Sequence, residues 1–154
     1  MRKTIILLSV LLHCVVSFAQ NEYSIVSGGQ GKNGEFLVRV TTVVKDIKTA
    51  QAELKRCAVH GVLFRGFMGE NSGDPSQQPL VQDSGVEQTK AEFFNTFFTQ
   101  KEHENYVAIV SSSFSSMKLK RKNYEVSALL LVNKERLLHH LEEAGIIKGF
   151  SNLW

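Results

Sequence analysis

The sequence predicts an α+β domain: a small, mostly antiparallel sheet with about three helices packed on one face. Three stretches carry that expectation. From Phe36 to Val44 the residues alternate, with Phe36, Val38, Val40 and Val44 on one side and Arg39 and Thr41 on the other, the period-two pattern of a strand with one buried face. From Asp46 to about Phe64 the spacing changes to that of a helix: Ile47, Ala50, Leu54, Cys57, Ala58 and Gly61 recur on one side, while Lys48, Lys55 and Arg56 turn away. From Tyr124 to Val132 the alternation returns, but Leu129 and Leu131 make its second half apolar on both faces, which predicts a central strand.

Before these elements come the residues that bear on destination. Arg2 and Lys3, the apolar run Thr4 to Val16, and Ser17-Phe18-Ala19 before Gln20 have the layout of a secretory signal over residues 1–19. The run is shorter than the roughly 20 residues a membrane-spanning helix needs. The expectation is therefore an exported mature chain beginning at Gln20, without a transmembrane span. The competing reading is a lipid anchor on Cys14, but His13 stands where such motifs take a small residue. The chain has 18 basic and 15 acidic residues; without Arg2 and Lys3 the basic count is 16, so the near-neutral mature chain gives no case for nucleic acid as a partner. Cys57 is the one cysteine left after the signal, so no intramolecular disulfide is expected and a hydrophobic core must hold the fold. About 135 residues suffice for one such domain, placed at 36–154 after a flexible, glycine-rich segment at 20–35.

Taken in order, Tyr23, Ile25 and Val26 hint at a short strand within that first segment. Gly31-Lys32 does not make a phosphate loop, because Val26 occupies the earlier glycine position, Asn33 replaces the metal-binding hydroxyl residue, and a strand follows where a helix is needed. Asp46 is placed to cap the first helix and Gly66 to end it. Met68 to Gln82, with Gly69, Gly73, Pro75 and Pro79, reads as a long surface loop. Ser84 and Glu87 have capping-box spacing at the start of a second helix, whose Phe93, Phe94, Phe97 and Phe98 form an aromatic face. Such a face fills a core, the alternative being an apolar pocket. Tyr106 to Phe114 and Tyr124 to Val132 read as two strands joined through Lys118 to Lys122. Asn133 caps a third helix with Leu137, Leu138, Leu141 and Ala144 on its apolar side and Gly145 as its stop. Ile146, Ile147, Phe150, Leu153 and Trp154 make the tail too apolar to stand free, so it should dock on the domain or on a partner.

Few residues suggest chemistry. Cys57 and His60 stand at i, i+3 on the first helix, the beginning of a thiolate–imidazole pair or a metal site. Against this, Cys57 lies on the apolar stripe with Leu54 and Ala58, where a thiol is buried and inert, and His60 near the helix end has a plain role in dipole compensation. His103, His139 and His140 belong to no zinc-protease motif, and neighbours on a helix point about 100° apart. Ser111-Ser112-Ser113 lacks the glycines of a nucleophile elbow. The reading is therefore no catalytic residue, no metal ligand and no cofactor. Lys118, Lys120, Arg121 and Lys122 form the one local concentration of charge, either a solvated hairpin end or a contact for anionic lipid, polysaccharide or an acidic protein. Together with Phe150 and Trp154 they are the candidate interaction surface.

Ala50, Ala58, the segment Val59 to Phe64, the paired phenylalanines, Tyr124-Glu125-Val126 and the ending Leu141-Glu142-Glu143-Ala144-Gly145-Ile146-Ile147 give the chain a pattern that resembles small exported Bacteroidetes proteins of unknown function. The Ala19-Gln20 junction resembles their cleavage sites. More distantly, the strand–helix unit and the later strand pair are similar to the small α+β module of flagellar-assembly and outer-membrane lipoproteins, from which the loop and second helix depart. Both resemblances imply a Gram-negative envelope protein, periplasmic or surface-associated, and neither implies an activity. The expectation is a non-enzymatic module that binds another envelope protein or component. The alternative is a small enzyme or ligand-binding domain built on Cys57, His60 and the loop 68–82.

Overall fold

A computed structural model of the chain describes residues 22–32 and 34–148. The expectations for residues 1–21, including the signal and Cys14, and for Phe150, Leu153 and Trp154 lie outside the described residues. The described residues form an open antiparallel sheet of five strands with four helices, the α+β class the alternation and helical spacing predict. In chain order they are β1 (Tyr23–Ser27), β2 (Glu35–Val44), α1 (Ala50–Phe64), α2 (Val86–Thr89), α3 (Ala91–Thr99), β3 (Val107–Ile109), β4 (Ser115–Lys118), β5 (Tyr124–Asn133) and α4 (Lys134–Glu143).

β5 is central, with β2 on one side and β3 and β4 sharing the other, while β1 flanks β2. The register pairs Val38 with Leu130 and Val40 with Ala128, so one face of the two long strands carries Val38, Val40, Val44, Val126, Ala128, Leu130 and Val132, all buried. Against that face packs α1. The segment 20–35, read as flexible, contributes β1, paired in register from Tyr23 opposite Thr42 to Ser27 opposite Val38. Of the strand expected over Tyr106 to Phe114 only Val107–Ile109 forms; after a break at 110–114 a further short strand, Ser115–Lys118, outside the expected range, pairs along the same edge of β5. Ser113 explains the break: its hydroxyl donates to the Val110 carbonyl (2.7 Å) and accepts from the Leu129 amide (2.9 Å), replacing ladder bonds that the extra residues displace.

The first helix begins as expected, Asp46 accepting from the Lys48 amide at 2.9 Å, but its opening turn is a 3₁₀ turn over Ile47–Thr49. Ile47 is 37% exposed and so does not belong to the buried stripe. At the other end Gly66, at φ +70°, donates to the Gly61 carbonyl and closes the helix. From Cys57 to Leu63 every residue is buried, because a second layer covers the side of α1 facing away from the sheet. That layer is aromatic. Phe94 and Phe97 of α3 are buried, and Phe94 meets Phe64 edge-on with ring centroids 4.9 Å apart. The four phenylalanines therefore extend the core.

The expected capping box does not form. Glu87 turns its carboxylate to His60, and the Gly85 amide is capped by Asp83 at 2.9 Å, leaving α2 a single turn set off from α3 at Lys90. Asn133 caps α4 by accepting from the Arg136 amide at 2.9 Å, and Leu137, Leu138 and Leu141 are its buried side. No helix among the described residues is long and apolar enough to cross a membrane.

Candidate functional site

The most organised polar cluster is centred on His60, and the sequence pointed to only one of its members. Gly61 allows it to form: a Cβ there would meet Ile25 Cδ1 at 2.7 Å and Tyr23 Cε2 at 3.3 Å, so the bare helix surface lets β1 lie close against α1. Tyr23 Oη then sits 2.6 Å from His60 Nδ1, and Glu87 Oε1 of α2 sits 3.0 Å from His60 Nε2. The chemistry of the partners fixes the proton positions. A carboxylate can only accept, so Nε2 carries the hydrogen, Nδ1 is the acceptor, and the tyrosine hydroxyl donates. His60 is 6% exposed, and burial holds its pKa below the ordinary histidine value despite the carboxylate, so the ring is neutral. Burial likewise raises the Tyr23 hydroxyl pKa. The Arg65 guanidinium lies 4.0 Å from the centroid of the Tyr23 ring and donates to the Tyr23 carbonyl. The result is a latch joining β1, α1 and α2, in which the ring nitrogens and the hydroxyl satisfy one another.

Cys57 is turned elsewhere. Its sulfur is 3.6 Å from Oε1 of Glu53, whose two carboxylate oxygens together hold Arg56 in a two-bond ion pair, and burial pushes the thiol up to about 12. A thiol so placed is inert at neutral pH. His60, with both nitrogens engaged by other residues, does not activate it.

His103 and His140 serve packing. His103 is buried with its pKa lowered by burial, Nδ1 3.4 Å from the Phe97 carbonyl, its ring against Phe97 and Phe98. His140 stacks on Phe97 at 5.7 Å, while His139 faces away and pairs loosely with Glu143. His140, Tyr106, Arg136, Glu135 and Glu143 border an open recess of about 500 Å³. Among the described residues no group of three or more His, Cys, Asp or Glu side chains is arranged to hold a metal.

The loop 68–82 is tied down along its length. Its Ser76 and Asp74 side chains accept from the Gly69 and Asn71 amides, and Phe67 and Gln77 exchange backbone bonds. At its end the Leu80 and Val81 amides donate to the Val62 and Leu63 carbonyls, which the end of α1 leaves without helical partners.

The basic residues are brought together and left open. Val44 and Lys118 both stand opposite Tyr124, so Lys45 and the turn after β4 emerge at the same end of the sheet. Lys118, Lys120, Arg121 and Lys122 are all exposed, and among the described residues none is in an ion pair. Arg121 and Lys122 hold φ values of 62° and 59°, a left-handed conformation costing about 1–2 kcal/mol per side-chain-bearing residue. β4 beside them is exposed throughout and includes Met117, 55% exposed, whereas the opposite edge is partly covered by Met68, whose carbonyl accepts from the Ser27 amide. Tyr23 and Glu87 are the members of the polar cluster that sequence reasoning missed: the weak strand pattern at Tyr23, Ile25 and Val26 was the local signal for the first, and the capping-box spacing of Glu87 pointed to a backbone partner instead of His60.

No family model matches the chain, and neither a curated protein nor a solved structure does.

Proposed function

We propose that the chain is an exported envelope protein that acts by binding another envelope component, an acidic protein surface, and not by catalysis. The observation that carries this reading is the basic end of the sheet: four exposed cations, in no ion pair among the described residues, at the end of β4 and on the turn after it, where two residues are left-handed, beside a strand edge that no other described strand pairs. Strained backbone is retained where its geometry serves a purpose, and here it presents cations. The edge supplies backbone donors and acceptors for a partner, and the charge supplies attraction and orientation. The self-satisfied Tyr23–His60–Glu87 cluster supports a non-catalytic role, since its histidine is neither exposed nor free to take a proton from a substrate. The signal-like residues 1–19 and the resemblance to small exported proteins support the envelope as destination.

A photo-crosslinking residue in place of Lys120, in cells producing the chain, tests this reading. The expected result is a discrete adduct with an envelope protein whose crosslinked segment is acidic, lost when Lys118, Arg121 and Lys122 are changed to Glu. An adduct that survives the charge reversal, or no adduct, contradicts it.

A further inference from the structure

The two edges of the sheet differ. Beside β1 the chain covers its own edge, the Ser27 amide donating to the Met68 carbonyl at 2.8 Å and Val26 bridging to Met68. Beside β4 no further described strand pairs, and Ser115, Ser116, Met117 and Lys118 are all exposed. Hydrogen-bond alternation fixes which backbone groups are open there. The Leu119 amide donates to the Asn123 carbonyl, so these two residues form a bonded pair, and with the register of β4 on β5 the bonded positions before them are Met117 and Ser115. Ser116 and Lys118 therefore turn their amides and carbonyls away from β5, and among the described residues nothing outside β5 bonds to them. Side chains alternate too: Ser116 and Lys118 stand opposite Val126 and Tyr124, on the sheet face where α1 packs, and Met117, 55% exposed, stands opposite Glu125 on the other face.

We infer that the free side of β4 takes an extended acidic segment of the partner protein as an added strand, paired to the backbone of Ser116 and Lys118, an inference that rests on the basic end being the binding surface. An edge of open amides and carbonyls is satisfied only by extended backbone, which selects a strand over a helix or a folded surface. Charge selects its composition. Lysine on an edge strand opposes pairing with a like-charged edge and favours a partner of opposite sign, and Lys120, Arg121 and Lys122 on the turn extend that preference beyond the last paired residue. The partner residue beside Lys118 is then a carboxylate, and the one beside Met117 is apolar, since Glu125 already holds that face.

The probe is a fluorescein-labelled peptide alternating glutamate and valine, titrated with the full chain at about 0.05 M salt and read by fluorescence anisotropy. Ser116→Pro removes one outward amide and sets a ring on the edge, leaving the ladder to β5 and every cation in place, a position where an edge strand tolerates proline. The variant should keep the wild-type melting temperature and bind the peptide at least about tenfold more weakly. Because proline can still disturb β4, the wild type supplies a second readout: with peptide saturating, amide hydrogen exchange at Ser116 and Lys118 should slow several-fold. Equal binding by both proteins, abolished when Lys118, Arg121 and Lys122 are changed to Glu, overturns strand pairing and leaves the charge-based reading standing; Ser116 and Lys118 amides that stay unprotected at saturation do the same. A wild type that binds no peptide overturns the inference, and the Lys120 crosslink then judges the charge-based reading alone. A peptide-free dimer that Ser116→Pro dissociates also overturns it, since the edge then belongs to a second copy.

Discussion

Changing Tyr23 to Phe removes one oxygen atom and tests the His60 latch. The phenyl ring keeps its edge-on contact with His60, centroids 5.8 Å apart at 86°, and its place under Arg65. What is lost is the donor to Nδ1. Because Glu87 accepts from Nε2–H, the ring cannot switch tautomer without losing that second bond, so Nδ1 becomes a buried acceptor with no partner. A neutral hydrogen bond contributes about 0.5–1.5 kcal/mol net, but an orphaned buried partner costs about 1–3 kcal/mol, and the second figure applies here. At about 2.1 cal/mol/K of unfolding entropy per residue, a domain of this size loses roughly 4 °C in Tm per kcal/mol, so the expected drop is about 4–12 °C. Urea unfolding is the assay, read as a lower midpoint with unchanged slope. In a double-mutant cycle Glu87→Gln should couple to Tyr23→Phe through their shared imidazole. A loss under about 0.5 kcal/mol with no coupling would refute the latch and its tautomer.

Three further outcomes follow from the same physics. Burial lowers the pKa of both His60 and His103, so as pH falls below the ordinary histidine value of 6.5 the unfolded chain binds protons that the folded one does not; stability should be full above that pH and decline through acid, and urea midpoints that stay level from pH 7 to pH 5 would contradict the buried neutral rings. Gly66→Ala forces a side-chain-bearing residue to φ +70° and drives its Cβ into the Gln77 carbonyl, so it should destabilise by at least about 2 kcal/mol in thermal unfolding, and a neutral result would contradict the close approach of loop and helix. Cys57, fully buried with its thiol raised to about 12, should react with a thiol reagent only at the rate of opening, and labelling as fast as in urea would contradict its placement.

The elements that were legible in the sequence are those written locally. The alternation of β2 and β5, the Asp46 and Asn133 caps and the Gly66 and Gly145 stops each depend on residues within one turn or one strand. What was not legible depends on distant partners. Glu87 has capping-box spacing but finds His60, 27 residues away, a stronger claimant than a backbone amide. The run Cys57 to Leu63 is buried all round because the sheet, the turn at 102–106 and the rings of α3 all pack on α1, and its lack of any charged residue was the sign that one apolar stripe was too narrow a description. Ser113 reads as a strand residue until its hydroxyl is seen replacing ladder bonds at Leu129. In the basic turn the charge was visible and its left-handed backbone was not, since neither Arg121 nor Lys122 belongs to the residue types that favour positive φ.

The binding claim is tested most directly by fractionating cells that produce either the wild-type chain or a variant with Lys118, Lys120, Arg121 and Lys122 all changed to Ser. All four positions are exposed, so the variant should keep the wild-type melting temperature. As salt rises from about 0.05 to about 0.5 M, screening shortens the range of surface charges, and the wild type should pass from the envelope-bound to the soluble fraction while the variant is soluble throughout. Equal retention of both proteins at low salt would contradict the account.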